Sequence, residues 1–266
     1  MAKRFLLPIS CLLLLVSPLR ADIGSILPLG DLDQWGAFSL GLNGPGDRLF
    51  NGAQLNGNIG VAGNGSLTMS GSASINADVY LRRWGVMRTG AGTVITGSQY
   101  ERANTLLDAE SNLALNLSRQ ASLLAPTQSL STINLSGTSN LTLNGAPGAT
   151  VVLNLGVFRM VGNSTLTLQG GANTTYVINV SRGFSLTDAA SIVLSGGLDW
   201  NDVLFNVRGR GTSVTLAGNS SFQGILLATR RTVQMRDAAI IRGEVVADNL
   251  WMQGSTQINH PAVVSP

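Results

Sequence analysis

Few residues of this sequence could do chemistry. His260 is the only histidine, Lys3 the only lysine and Cys11 the only cysteine. A zinc cluster, a Cys/His or Ser/His relay, a Schiff-base lysine and a P-loop lysine therefore lack their parts over most of the chain. Paired carboxylates remain the one enzymatic arrangement, and Asp199 with Asp202 is the closest exposed-looking pair. Aspartates at a turn usually serve the turn. Asp188, Asp237 and Asp248 do not form the Gly-Gly-x-Gly-x-Asp calcium repeat. The inventory predicts a non-enzymatic protein with no metal and no cofactor.

Arginine is the charged residue with a pattern. Arg208, Arg210, Arg230, Arg231, Arg236 and Arg242 fall within 35 residues that contain only Asp237 as counter-charge. Arg208, Arg210, Arg230 and Arg231 form a candidate patch for a polyanion such as an extracellular polysaccharide; solvated corner residues are the plainer reading. The formal charge of +3 adds less than it suggests. Residues 1–21 place Lys3 and Arg4 before the apolar run 11–16 and end in Leu19-Arg-Ala21, the pattern of a cleaved signal peptide. Its removal takes Lys3, Arg4 and Arg20, leaving 14 of 17 basic residues against 14 acidic ones. A neutral chain gives no reason to expect nucleic acid as partner. The chain is expected to be exported and secreted or held at the cell surface, as a monomer, without disulfides and with no transmembrane segment after signal cleavage.

The elements that must position these residues are set by a repeat. Residues 214–228 recur, without a gap, at 233–247, nineteen positions later. Apolar residues coincide at 214/233, 216/235, 222/241, 226/245 and 228/247, and Gly224 lies over Gly243. Short two-residue alternations broken by glycine at a fixed period near twenty mark a stacked β-coil. The unit recurs at residues 67–81, and in the middle of the chain longer units begin at Ile133, Phe158 and Phe184. Each unit has a second strand, 141–143, 166–168 or 192–194, and a third, such as 151–155, 176–180 or 203–207. Three strands per coil predict a three-sided solenoid. Residues 22–50 read as an irregular cap over an open end, with a first strand at 35–40.

One segment breaks the pattern. Ala103, Leu106, Leu107, Glu110, Leu113, Ala114, Leu117, Ala121 and Leu124 are spaced by threes and fours, which predicts a helix over about 98–124, opened by a capping box at Ser98–Glu101 and ended by Pro126. The third strands are apolar on both faces, so both faces must be covered, and the helix should lie along that side. Asn154, Asn179 and Asn206 take equivalent places there, as an inward amide ladder or as corner residues in water.

Leu55-Asn-Gly-Asn-Ile-Gly-Val61, Gly170-Gly-Ala-Asn-Thr-Thr-Tyr-Val-Ile178, Asp202-Val-Leu-Phe-Asn-Val207, Ala217-Gly-Asn-Ser-Ser-Phe-Gln-Gly-Ile-Leu-Leu-Ala228 and Arg242-Gly-Glu-Val-Val-Ala247 resemble the microbial ice-binding-like (antifreeze) family. The resemblance implies an all-β fold with one long helix, a discontinuous three-sided β-solenoid. It implies one domain over 22–260 and a short tail over 261–266. It also implies an open flat side that orders water and merges with an ice crystal surface. On the first open side the candidate contacts are Thr68, Thr132, Asn134, Ser185, Thr187, Ser213 and Thr215, in a row that Arg159 and Trp251 interrupt. The second open side offers Thr142 and Thr167 as an alternative.

Overall fold

The computed structural model describes residues 23–27, 32, 34–44, 46–63 and 65–261. The leader expected over 1–21 and residues 262–266 of the tail lie outside them. Three parallel ladders run side by side along the molecule. The first side stacks 132–135, 157–160, 183–186, 214–216, 232–235 and 249–252, then 47–50, 66–70 and 86–89. The second stacks 140–144, 165–169, 191–195, 221–223, 240–242 and 257–259, then 54–56, 74–75 and 94–95. The third stacks 150–155, 175–180, 203–207, 225–228 and 244–247, then 35–39, 58–61, 79–81 and 99–100.

Stack order is not chain order. The chain winds outward from residue 35 to 100, crosses back, and winds inward from 132 until 244–259 meets 35–56. The strand Trp35–Ser39 is paired on both edges, with 245–247 on one side and with Asn58–Val61 on the other. The amino-terminal segment is thus a wedge in the middle of the stack and not a lid on its end. Its 3-10 turn, Ile23–Ser25, buries Ile23 on the outside of the third side, beside Leu27 and Leu32.

The crossing is made by α1 (Asn104–Leu123). Twenty helical residues span about 30 Å, and nine stacked strands about 38 Å, so the helix with residues 124–131 covers the return. It buries Leu107, Glu110, Ala114, Leu117 and Ala121 against the third side. Leu107, Ala114, Leu117 and Ala121 share a cluster with Val152, Val177, Leu204, Ile225 and Val246, outward residues of the third strands. Apolar residues on both strand faces therefore reflect two cores, one inside the coil and one under the helix. The helix starts later than its periodicity suggests. Gln99–Tyr100 form the outermost strand of the third side, and the residue before the helix is Ala103, whose side chain cannot cap. Completing the coil's third strand outweighs the Ser98–Glu101 capping pattern. The start is held instead by Asn104 Oδ1, which accepts the Arg83 N–H at 2.7 Å, and by an ion pair between Arg82 and Asp108.

The asparagine ladder exists and faces away from the coil interior, with Asn154 open to water and the other two covered by the helix. Asn179 and Asn206 are fully buried between the third side and α1. Asn206 Nδ2 donates to Asn179 Oδ1 at 2.8 Å, and Asn179 Nδ2 to Asn154 Oδ1 at 3.0 Å. The same amides reach the Ser118 and Ala121 carbonyls at 2.9 and 2.8 Å, and Ser118 Oγ donates to Asn206 Oδ1 at 2.7 Å. Inside the coil, Phe158 stacks on Phe184 with centroids 4.7 Å apart, and Phe205 and Phe222 meet them edge-on. At the corner between second and third sides, Gly224 and Gly243 hold φ of +133° and +134°. A Cβ on Gly243 would collide with the Gly224 carbonyl oxygen, so the repeated glycine is a stacking requirement.

Candidate functional site

Register decides what each open side presents. On the first side the central outward row reads Asn134, Arg159, Ser185, Thr215, Gln234, Trp251, Arg48, Thr68 and Arg88. Ser185 and Thr215 are neighbours. Asn134 is separated from them by Arg159, whose Nη1 reaches Asn134 Oδ1 at 3.5 Å. Thr68 lies between Arg48 and Arg88, four strands from Thr215. Arg48 covers the Trp251 ring at 5.0 Å, and the indole N–H donates to the Gly46 carbonyl at 3.1 Å. Thr132 heads a flanking row beside Val157. Thr187 and Ser213 sit just outside the strands, Thr187 bonding the Met160 carbonyl through its N–H. The seven candidates share one side without forming a continuous row.

The second side is different in kind. One outward row begins Asn140, Thr165, Ser191 and Ser221, each paired with the next. Beside it run Thr142, Thr167 and Val193, with Gln223 two residues beyond Ser221. The hydroxyls of Thr165 and Ser191 are 3.4 Å apart. No charged residue occurs in 140–144, 165–169, 191–195 or 221–223. Among the strands of this side in the described residues, Arg242 is the one charge. Beyond it a second amide ladder continues the row. Asn56 Nδ2 donates to Asn259 Oδ1, and Asn76 Nδ2 to Asn56 Oδ1, both at 2.6 Å.

The arginines of the expected polyanion patch divide. Arg208, Arg210 and Arg230 line a groove of about 580 Å³ between α1 and the corner joining the third side to the first. Arg231, next in sequence, turns inward and is 2% exposed. Its guanidinium donates to the carbonyls of Ser181, Arg182, Arg208, Gly209 and Thr212. It closes the corner and presents no charge outside, which removes it from the patch. The carboxylates are similarly absorbed. Asp199 accepts the Trp200 N–H at 2.8 Å and Asp202 the Asp199 N–H at 2.6 Å, a reciprocal cap of the 3-10 turn Trp200–Asp202. Asp188 and Asp237 each accept a glycine N–H of the neighbouring coil, Gly162 and Gly218, at 3.0 Å. His260 packs edge-on against Trp200.

The sequence profile of an ice-binding-like adhesive domain matches residues 24–260. The chain belongs to that family. Solved ice-binding proteins share the fold of this ice-binding-like chain. One is an antifreeze protein from an Arctic yeast, 20% identical, covering 90% of this chain and 96% of its own, with a TM-score of 0.59. Another, from the Antarctic ascomycete Antarctomyces psychrotrophicus, is 18% identical, covering 88% and 98%, with a TM-score of 0.57. No curated protein matches the chain. Among the described residues no helix is long and apolar enough to cross a membrane.

For this ice-binding-like domain, sequence reasoning missed two sets of residues. Arg48 meets Trp251 and Arg88 meets Thr68 only through strand pairings that the local pattern of residues 47–50 and 86–89 does not specify. Asn140, Thr165, Ser191 and Ser221 were legible in principle. Asn140 and Thr165 lie two residues before the expected outward residues Thr142 and Thr167, and Ser191 and Ser221 take the same places in the next coils; two is the period of a strand.

Proposed function

We propose that this exported, non-enzymatic domain adsorbs to ice through its second open side, centred on Thr142 and Thr167. The carrying observation is the pair of adjacent uncharged rows over four stacked strands. Stacked strands give outward groups a regular repeat of about 4.8 Å. A threonine on such a strand has few χ1 states, so its methyl and hydroxyl are fixed before ice arrives. Little ordering entropy is then lost when the bound water layer joins the crystal. The first side has hydroxyls too, but Arg159, Arg48 and Arg88 divide them, whereas the second side's Arg242 stands at the end of its four uncharged strands. An arginine stands several carbons above the sheet and holds its own hydration shell, which keeps an ice plane at a distance. Family membership supports the reading, as do the solved ice-binding relatives through their fold.

The test is ice growth in the presence of the chain lacking residues 1–21. The proposal predicts thermal hysteresis, faceted crystals and inhibition of recrystallisation. Ordinary ice growth at high protein concentration would refute it.

A further inference from the structure

We propose that the groove between α1 and the solenoid corner binds an acidic polysaccharide, a chain bearing uronate carboxylates or sulfate esters. Four guanidinium groups converge there: Arg119 from the helix, and Arg208, Arg210 and Arg230 from the corner. No carboxylate lines the groove. In the adjoining hollow, Asp248 is 3% exposed and already accepts the Leu42 and Asn43 N–H groups at 2.6 and 3.1 Å. Arg210 is steadied by Asn43 Oδ1 at 3.3 Å. Arg208 Nε is shielded from solvent without a hydrogen-bond partner.

The lining chooses among anions. Guanidinium forks match planar or tetrahedral oxyanions two bonds at a time. Asn116, Ser122 and Thr229 add amide and hydroxyl groups of the kind that pair with sugar hydroxyls. No aromatic ring lines the groove, so it lacks the stacking platform that single-stranded nucleic acid uses. The groove lies across the corner of the molecule, away from the second open side, so one domain could hold ice and a matrix polymer together. Because Arg119 comes from α1 and the rest from the coil, the site is assembled only when the helix is docked.

The experiment measures binding of the full chain to alginate and to dextran sulfate by calorimetry, at low and high salt. Wild-type protein is expected to bind at least one of them, more weakly as salt rises. The paired variant Arg119→Ser/Arg230→Ser should weaken binding roughly tenfold, a few-fold for each exposed charge pair. Arg208→Gln removes a third guanidinium from the lining and should weaken binding a few-fold. Arg48→Ser/Arg88→Ser, on the first open side, should leave the affinity unchanged, and the groove variants should keep the wild-type effect on ice. The proposal is overturned by no binding to either polymer at low salt. It is equally overturned if the Arg48/Arg88 and groove variants lose affinity alike, or if only vesicles of anionic phospholipid bind.

Discussion

Replacing Asn206 by alanine tests how the helix is held to the coil, and its cost can be worked from the contacts. Asn206 is fully buried and makes three hydrogen bonds, two donated to Asn179 Oδ1 and the Ser118 carbonyl and one accepted from Ser118 Oγ. In Asn206→Ala the Asn179 oxygen, itself buried, loses its only amide donor in the ladder. An orphaned buried acceptor costs about 1–3 kcal/mol. The Ser118 hydroxyl can turn to a carbonyl of the preceding helical turn, so its loss is small. The Ser118 carbonyl keeps its place in the helix. Adding the net value of the lost bonds, the variant should be less stable by about 2–4 kcal/mol. Asn154→Ala makes the contrast. Asn154 is exposed, and without it Asn179 Nδ2 still donates to Ala121, so its loss should stay below about 1 kcal/mol. Urea denaturation gives both values, and hydrogen exchange of the α1 amides shows whether the helix loosens first. Ser118→Ala should cost less in the Asn206→Ala background than in wild type. Equal small losses for Asn154→Ala and Asn206→Ala would refute the ladder as the fastening of the helix.

Two further predictions concern the elements that hold the stack in order. Asp47 joins the wedge to the last coil, accepting from Ser39 Oγ and from the Leu250 N–H at 2.7 Å. Burial raises its carboxyl from 3.8 to about 7, against the lowering effect of those two bonds and with Asp248 adding repulsion. The folded form then binds the proton more tightly than the unfolded form, so this group makes stability fall as pH rises from about 4 to about 7. Asp47→Asn should flatten that dependence in denaturation curves at pH 4, 5, 6 and 7; an unchanged slope contradicts it. Arg231→Lys keeps the charge but loses the fork that serves five carbonyls, and should cost about 2–4 kcal/mol in the same assay. A loss near zero would put Arg231 back on the surface.

The sequence carried the scaffold because the scaffold is made of inward residues that repeat. Val214 over Val233, Gly224 over Gly243 and Leu226 over Val245 are spatial partners at the offset at which they recur in the chain. The helix was legible from 104 onward because its stripe of Leu107, Ala114, Leu117 and Ala121 meets one flat surface. Its first residues were not, since Gln99–Tyr100 are claimed by a coil that lacks a third strand without them. The strand at Trp35–Ser39 was legible, but its place in the middle of the stack was not, because its pairing with residues 245–247 has no short-range signature. The site suffered from the same long-range order. Trp251 sits beside Arg48 only after the chain has doubled back. Arg230 and Arg231 look alike by charge, and only strand direction separates a groove residue from a buried clamp.

If ice meets the second open side, matched substitutions on the two open sides must differ in their effect. Thr167→Tyr and Ser185→Tyr each place a ring on an outward strand position, where a β-sheet tolerates tyrosine well. Thermal hysteresis is measured for both at equal concentration, with circular dichroism confirming the fold. Thr167→Tyr should lose most of the activity and Ser185→Tyr should keep it. Activity lost in Ser185→Tyr and kept in Thr167→Tyr, or kept in both, would contradict it.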